Sequence, residues 1–387
     1  MKKESPNHQL GEAVPAPRSH LPALDGLRGV AILMVLFWHF IVSAFPAPGG
    51  TPAGYFFKLF HHAYSGVDLF FVLSGFLITG ILLDSVGKPG WLKRFWIRRT
   101  FRILPLYLLF LLLVMVLHAL RGDFFGVPSS KWPYFLMLQN FQMAKVNSLG
   151  PWGITWSLAI EEQFYLIFPL IVYFTIARRW LPFLCLLAIG LSLALRLHGE
   201  YLYSFVLTPY RLDGLAAGAL CAWLCRRPAI WQEILTRPWI TFVLASTGMV
   251  LLVCITVRTQ QRHPIDHTVF AYAYAAILLH VITRERGFIA ILLSHPILRF
   301  MGMISYPLYL FHEPCSWVIN LALVKQPKSI AECLLASALA APLSILVAAL
   351  LNRFVGDPFV RLGRMIANRQ VPKTVCMVAP ECKKSVE

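Results

Sequence analysis

The sequence has little charge. Of its 387 residues, 14% are Asp, Glu, Lys or Arg and 58% are hydrophobic, whereas a water-soluble domain carries about 25% charged residues. That scarcity excludes a soluble enzyme built around a large core. Acidic residues are scarcer still, 18 against 35 Lys and Arg, for a net charge of +17. The basic residues gather in short connections and at the chain ends, so the excess reads as membrane topology, and no nucleic-acid partner is expected. Several signatures of chemistry are missing too. There is no Walker loop and no glycine-rich dinucleotide loop, which leaves ATP-driven pumping and nicotinamide chemistry without support. The eight cysteines are scattered through mostly apolar segments at no zinc or disulfide spacing, so no metal and no bound cofactor are expected. The first 20 residues lack the apolar core of a signal peptide, and no internal repeat is visible.

What is present is a series of about ten apolar segments, each roughly 16 to 25 residues long, as a ~30 Å hydrocarbon layer requires. They fall near 28–46, 65–84, 103–120, 153–177, 180–197, 210–225, 239–257, 268–283, 301–322 and 332–354. The fold class expected is therefore all-α, a polytopic integral membrane protein with about ten transmembrane helices. Most Lys and Arg fall on one side if both termini are cytoplasmic, which sets that orientation. The division expected is a cytoplasmic N-terminal tail (1–20), a membrane-embedded domain (21–355) and a short basic cytoplasmic tail (356–387). Two pieces do not read as spans. Residues 287–298 are apolar but short, and suit an interfacial or re-entrant segment. The long outer connection 121–152 contains WPYFLMLQNF, which can dip back and roof a cavity.

Ionisable residues inside spans are few, and each is a functional candidate by default. The first apolar stretch runs LPALDGLRGVAILMVLFWHF over 21–40, with Asp25 placed to cap a helix. Arg28 and His39 are eleven residues apart on one face, roughly 16 Å along a helix. With Arg28 at one surface, His39 lies near mid-depth, either bonded to a nearby carbonyl for packing or poised for chemistry. Glu161 and Glu162 enter from the other side on the fourth span, ~12 Å in, and point about 100° apart, so one of them at most faces a given partner. Gln163 and Tyr165 lie beside them. His312, Glu313 and Pro314 sit mid-way along the ninth span, where the proline frees a carbonyl. The segment KRFWIRRTFR (93–102) puts Arg99 and Arg102 on one face. It suits either a polyphosphate ligand with an adenine ring or a snorkelling collar that binds anionic lipid. Arg211 stands at the outer rim of the sixth span, within reach of a carboxylate such as Glu161 or an anionic acceptor, and Gly214 and Gly218 form a face for close helix packing. Ser74 lies mid-span in the second.

Five segments, in order and spacing, resemble acyltransferase family 3, a family of integral-membrane O-acyltransferases. They are LDGLRGVAILMVLFWH, FFVLSGFLITG, RRTFRILPLY, WSLAIEEQFYLIFP and ISYPLYLFHEP. The family's Arg–ten residues–His pattern matches Arg28 and His39, and its Arg-x-x-Arg pattern matches Arg99 and Arg102. The first acidic position of the fourth-span motif matches Glu161, and Glu162 falls at a looser position. The resemblance implies transfer of an acyl group, often acetyl from acetyl-CoA or another acyl-CoA, to a hydroxyl of an extracytoplasmic carbohydrate such as O-antigen or exopolysaccharide. It implies a multi-pass protein of the bacterial inner (cytoplasmic) membrane whose partners are the acyl-CoA, the carbohydrate and the lipid bilayer. The chain is similar to the form without a fused esterase-like domain. The roles implied are catalysis by His39 with Glu161 orienting it, and donor binding by Arg28, Arg99 and Arg102. Arg211, His312, Glu162, Tyr165 and Ser74 would support them. The competing reading is a transporter or flippase of a glycan intermediate, because mid-depth His and Glu also mark proton-coupled carriers.

Overall fold

The computed structural model describes residues 21–43, 60–121, 130–150, 152–175, 180–258, 263–324 and 330–369, which contain helices and no strand. The tails 1–20 and 370–387, and short parts of the first and fourth expected spans (44–46 and 176–177), lie outside the described residues. In chain order the main helices are α1 (Pro22–Phe37), α2 (Gly66–Ser85), α3 (Trp91–Arg121), α4 (Trp156–Thr175), α5 (Leu181–His198), α6 (Leu212–Leu224) and α7 (Pro238–Arg258). They continue with α8 (Asp266–Thr283), α9 (Phe288–Leu293), α10 (Pro296–Met303), α11 (Ser305–Ile319), α12 (Ile330–Leu351) and α13 (Asp357–Arg369).

Among the described residues, seven helical stretches are long and apolar enough to cross a membrane: Pro22–Val42, His61–Ser85, Trp91–Leu120, Gly153–Thr175, Leu181–His198, Pro238–Val257 and Ala331–Arg369. The protein is thus all-helical and multi-pass. The sixth, eighth and ninth expected spans are α6, α8 and α11, of 13, 18 and 15 residues. They fall outside that set of seven and are mostly buried among the longer helices.

Local sequence explains how α1 begins. Pro22 occupies its first turn, where a missing N–H costs nothing, and extended Leu21 precedes it. Asp25 is not the cap expected; it lies inside the first turn, where its charge meets the positive end of the helix dipole. After Phe37 the helix widens into a π turn, Trp38–Val42, a feature often found at functional positions.

Glycines set the closest helix contacts. Gly75 on α2 lies against the backbone of Leu215, and Gly218 on α6 lies against that of Val72, so a methyl group at either would occupy space held by a carbonyl oxygen. This is the small-residue face expected of α6. On the other flank, Gly29 and Gly302 let α1 and α10 touch backbone to backbone. The short apolar piece 287–298 is accordingly two partial helices, α9 and the start of α10, both packed on α1.

Two expectations shift in detail. The basic segment 93–102 is no connection; it forms the first turns of the 31-residue α3. Residues 357–369, read from the sequence as part of a basic tail, form helix α13, which packs back on α3. The connection 130–150 carries two short helices, Trp132–Phe135 and Gln139–Lys145. The buried Asn140 and the carbonyl of Met137 both meet Gln163 of α4, at 3.0 and 2.9 Å.

Candidate active site

Two cavities lie among the helices, with Val67 and Tyr309 lining both. The first has a volume of about 370 Å³ and gathers six sequence-predicted residues from four helices, Arg28, Ser74, Arg99, Arg102, Glu161 and Tyr165. A helix presents residues i and i+4 on one face, and Tyr165 uses that spacing to donate to Glu161 Oε2 at 3.0 Å. Ser74 hydrogen-bonds the same phenol, so with the tyrosine proton committed to Glu161 the serine donates. Trp96 pins this turn of α4 by donating to the Tyr165 carbonyl at 3.1 Å. The Arg99 guanidinium stands 5.6 Å from the Tyr165 ring centre and 5.8 Å from that of Phe95. Arg28 donates to Ser305 Oγ at 3.3 Å. Among the described residues Arg28, Arg99 and Arg102 form no ion pair within 4 Å. Three cations around one partly closed space repel one another, and a bound anion relieves that repulsion.

The second cavity, about 210 Å³, contains His39 and Glu313, with Trp38, Asp68, Trp156 and Arg211 around them and Leu149, Gly150, Gly153 and Ile154 covering one side. Leu149 and Gly150 belong to the outer connection, whereas its piece WPYFLMLQNF, expected to roof a cavity, lines neither of the two. His39 Nδ1 lies 2.9 Å from the Val35 carbonyl. A carbonyl only accepts, so Nδ1 carries the proton and Nε2 of the neutral ring is a free acceptor. Nε2 points to Glu313 Oε1 at 3.7 Å, with both side chains about a quarter exposed. His312 repeats the pattern. Its Nδ1 donates to the Tyr309 carbonyl at 2.7 Å, and its buried Nε2 has no partner among the described residues. Its ring meets that of His39 edge-on at 4.8 Å.

The structure therefore regroups the predicted residues. Glu161 lines the arginine cavity and takes its hydrogen bond from Tyr165, so it is not the carboxylate beside His39. The carboxylate that α11 brings to His39 is Glu313, which the sequence reading noticed beside His312 without giving it a role. Glu162 lines neither cavity, and its Oε1 is buried without a hydrogen-bond partner among the described residues. Arg211 pairs with Asp68 at 2.7 Å instead of Glu161, and its guanidinium is enclosed by Trp156, Phe205 and Phe71, with ring centres at 5.0, 5.5 and 5.6 Å. Asp68 also meets His267 Nδ1 at 3.1 Å. Next to it, Arg196 of α5 pairs with Asp213 at 2.7 Å. The sequence reading passed over Arg196 because it sits in the last turn of its span, a common place for a snorkelling cation.

The ligand atoms of His39, His312 and Glu313 all lie within 4.8 Å of one another. This trio could hold a metal ion, since each ring already gives its other nitrogen to a backbone carbonyl, as metal-bound histidines do. With Glu313 ionised, three acceptor atoms converge here, and a hydroxyl entering among them would give one of them a proton to accept.

Comparison with known proteins gives a consistent result. The model of a family described as an acyltransferase domain matches residues 21–353. A peptidoglycan O-acetyltransferase of Listeria monocytogenes is 32% identical over 329 residues, covering 77% of this chain and 49% of the relative. A putative peptidoglycan O-acetyltransferase of Bacillus subtilis is 32% identical over 326 residues (76% and 48%). A putative O-acetyltransferase of Staphylococcus aureus is 30% identical over 324 residues (76% and 50%). The matched region is thus about half the length of these relatives. No solved structure matches the chain.

Proposed function

The chain belongs to the acyltransferase family, and from that premise we propose that it moves an acetyl group from acetyl-CoA, bound at the arginine-lined cavity, to a hydroxyl of a cell-envelope carbohydrate held at the His39 cavity. The observation that carries this reading is the contact of two unlike cavities, one with unpaired cations and one with unsatisfied acceptors, across Val67 and Tyr309. The relatives' names support a peptidoglycan acceptor, and O-antigen and exopolysaccharide belong to the same class. The setting is the bacterial cytoplasmic membrane, with the arginine end facing the cytoplasm, where acyl-CoA is made, and the His39 end facing outward.

Arg28, Arg99 and Arg102 hold the phosphates of the donor, and the pantetheine arm carries the thioester past Tyr309 toward His39. The acceptor hydroxyl donates to His39 Nε2, supplying the donor that the three convergent acceptors lack. His39 takes the hydroxyl proton as general base while the oxygen attacks the thioester carbonyl. The C–O bond forms, the C–S bond breaks, and His39 returns its proton to the departing thiolate. Glu313, 3.7 Å away, stabilises the imidazolium between these events. Tyr165 and Ser74 hold Glu161 clear of the arginines' ligand face.

The test is direct. Purified protein in liposomes is given acetyl-CoA labelled in the acetyl group and a glycan acceptor. Label ester-linked to the glycan and released by mild alkali is the expected result. Glycan crossing the bilayer without gaining label would sink the enzyme reading and favour a carrier.

A further inference from the structure

The arginine-lined cavity does not end at Arg102. It continues past Ile81, Arg99, Arg102 and Arg364, which it shares with a second lobe of about 260 Å³. Trp91, Arg94, Phe95 and Arg98 line that lobe. Arg364 borders both lobes, so it stands at the neck between them. It comes from α13, beyond residue 353, where the family match ends, and from a segment that the sequence presents only as a basic tail.

The position of Arg364 is set by packing. Phe359 and Phe101 pack with ring centres 6.5 Å apart. Gly363 lies so close to Phe101 that an added methyl group would collide with that ring. At the end of α13, Arg98 Nη2 donates to Asn368 Oδ1 at 2.9 Å. These contacts dock α13 on the first turns of α3 and hold Arg364 beside Arg99 and Arg102. Among the described residues Arg94, Arg99, Arg102 and Arg364 form no ion pair within 4 Å. Three guanidinium groups at the neck and that of Arg94 in the outer lobe, with Glu161 and Asp25 as the acids lining the inner lobe, describe a site for more than one phosphate.

We propose that helix α13 is part of the donor site and that Arg364 binds a phosphate of the donor's nucleotide end at the neck between the lobes. The inference rests on the acyl-CoA reading above. It assigns the outer lobe to the nucleotide and the inner lobe, which Arg28 lines, to the donor's remaining phosphate and the arm that carries the acyl group.

The experiment compares two donors on purified full-length protein in liposomes, acetyl-CoA and S-acetylpantetheine, which has the same thioester and arm but no phosphate. Arg364→Gln should raise KM for acetyl-CoA by at least about tenfold, the worth of one charge-assisted contact, with kcat little changed. It should leave the slower reaction with S-acetylpantetheine unaltered, and Arg364→Lys should restore part of the loss. Arg361→Gln, an exposed change on the same helix that borders neither lobe, should match wild type. An unchanged KM for acetyl-CoA in Arg364→Gln overturns the inference, and so does an equal loss with both donors, which would mark a purely structural role. Should wild type transfer nothing from acetyl-CoA, the donor reading itself falls and this assignment falls with it.

Discussion

The two cavities treat their polar groups in opposite ways. In the His39 cavity the cation has an ion-pair partner: Arg211 faces Asp68 at 2.7 Å with both side chains buried, and only Arg211 Nε and Asp68 Oδ2 are left without a hydrogen bond among the described residues. The acceptors beside His39 are not satisfied, since His39 Nε2, His312 Nε2 and Glu313 converge without a donor. In the arginine cavity the acceptor is satisfied, because Glu161 takes the Tyr165 hydroxyl, and the cations are left over. A charge paired within the protein is committed to packing, whereas one that lines a cavity without an ion-pair partner is open to a ligand. By that criterion one cavity calls for a proton donor such as a hydroxyl, and the other for an anion.

Five substitutions break or sharpen this contrast. The largest effect is expected on the acceptor side. His39→Ala should lower turnover by about 10²–10⁴-fold, the usual contribution of a general base, with the protein still folded in detergent; near-normal turnover would remove His39 from the chemistry. Asp68→Asn breaks a satisfied pair and strands Arg211, so it should cost about 3–5 kcal/mol of stability, read as a marked fall in thermal unfolding temperature. If it instead lowered activity alone, the pair would belong to the ligand site. Arg99→Gln and Arg102→Gln should each raise the acetyl-CoA KM by about tenfold, one charge-assisted contact apiece, with stability unchanged or improved as repulsion is relieved. A loss of stability on that scale would show these arginines to be structural after all. Asp84→Asn removes a half-exposed partner of Arg226, 2.6 Å away, and should shift unfolding by under about 1 kcal/mol; a larger shift would mean that exposed pairs in this protein do not follow the rule.

Much of this was legible in the sequence, and what was not has identifiable causes. Seven of the ten expected spans followed from apolar length, and the tight α2–α6 contact from Gly214 and Gly218. Arg28, Arg99, Arg102, Glu161, Tyr165 and Ser74 were all singled out, and they do share one cavity. Their grouping was not readable, because depth along a helix can be counted from residue numbers but azimuth around the bundle cannot. Glu161 and Glu313 both reach mid-depth, and which one meets His39 depends on whether α4 or α11 packs beside α1. The partners of Arg211 and Arg196 were hidden for the same reason. Helix α13 was missed because its basic composition resembles that of a solvated tail, and only its docking on Phe101 shows otherwise.

The lengths of two helices carry one more consequence. At ~1.5 Å per residue, α3 is ~46 Å long and the continuous helix over 331–369 is ~58 Å, against a hydrocarbon layer of ~30 Å. Neither fits within it. The overhang on α3 is about eleven residues, the length of the arginine-rich start of that helix, and the overhang on the other is about nineteen, the length of its final turns through α13. Because these two ends pack on each other, they rise from the same face of the bilayer as a paired mast. The arginines they carry therefore stand at the level of the lipid headgroups, which are themselves phosphates. A soluble polyanion that binds there competes with anionic headgroups for the same cations, and the composition of the surrounding leaflet sets how hard that competition is.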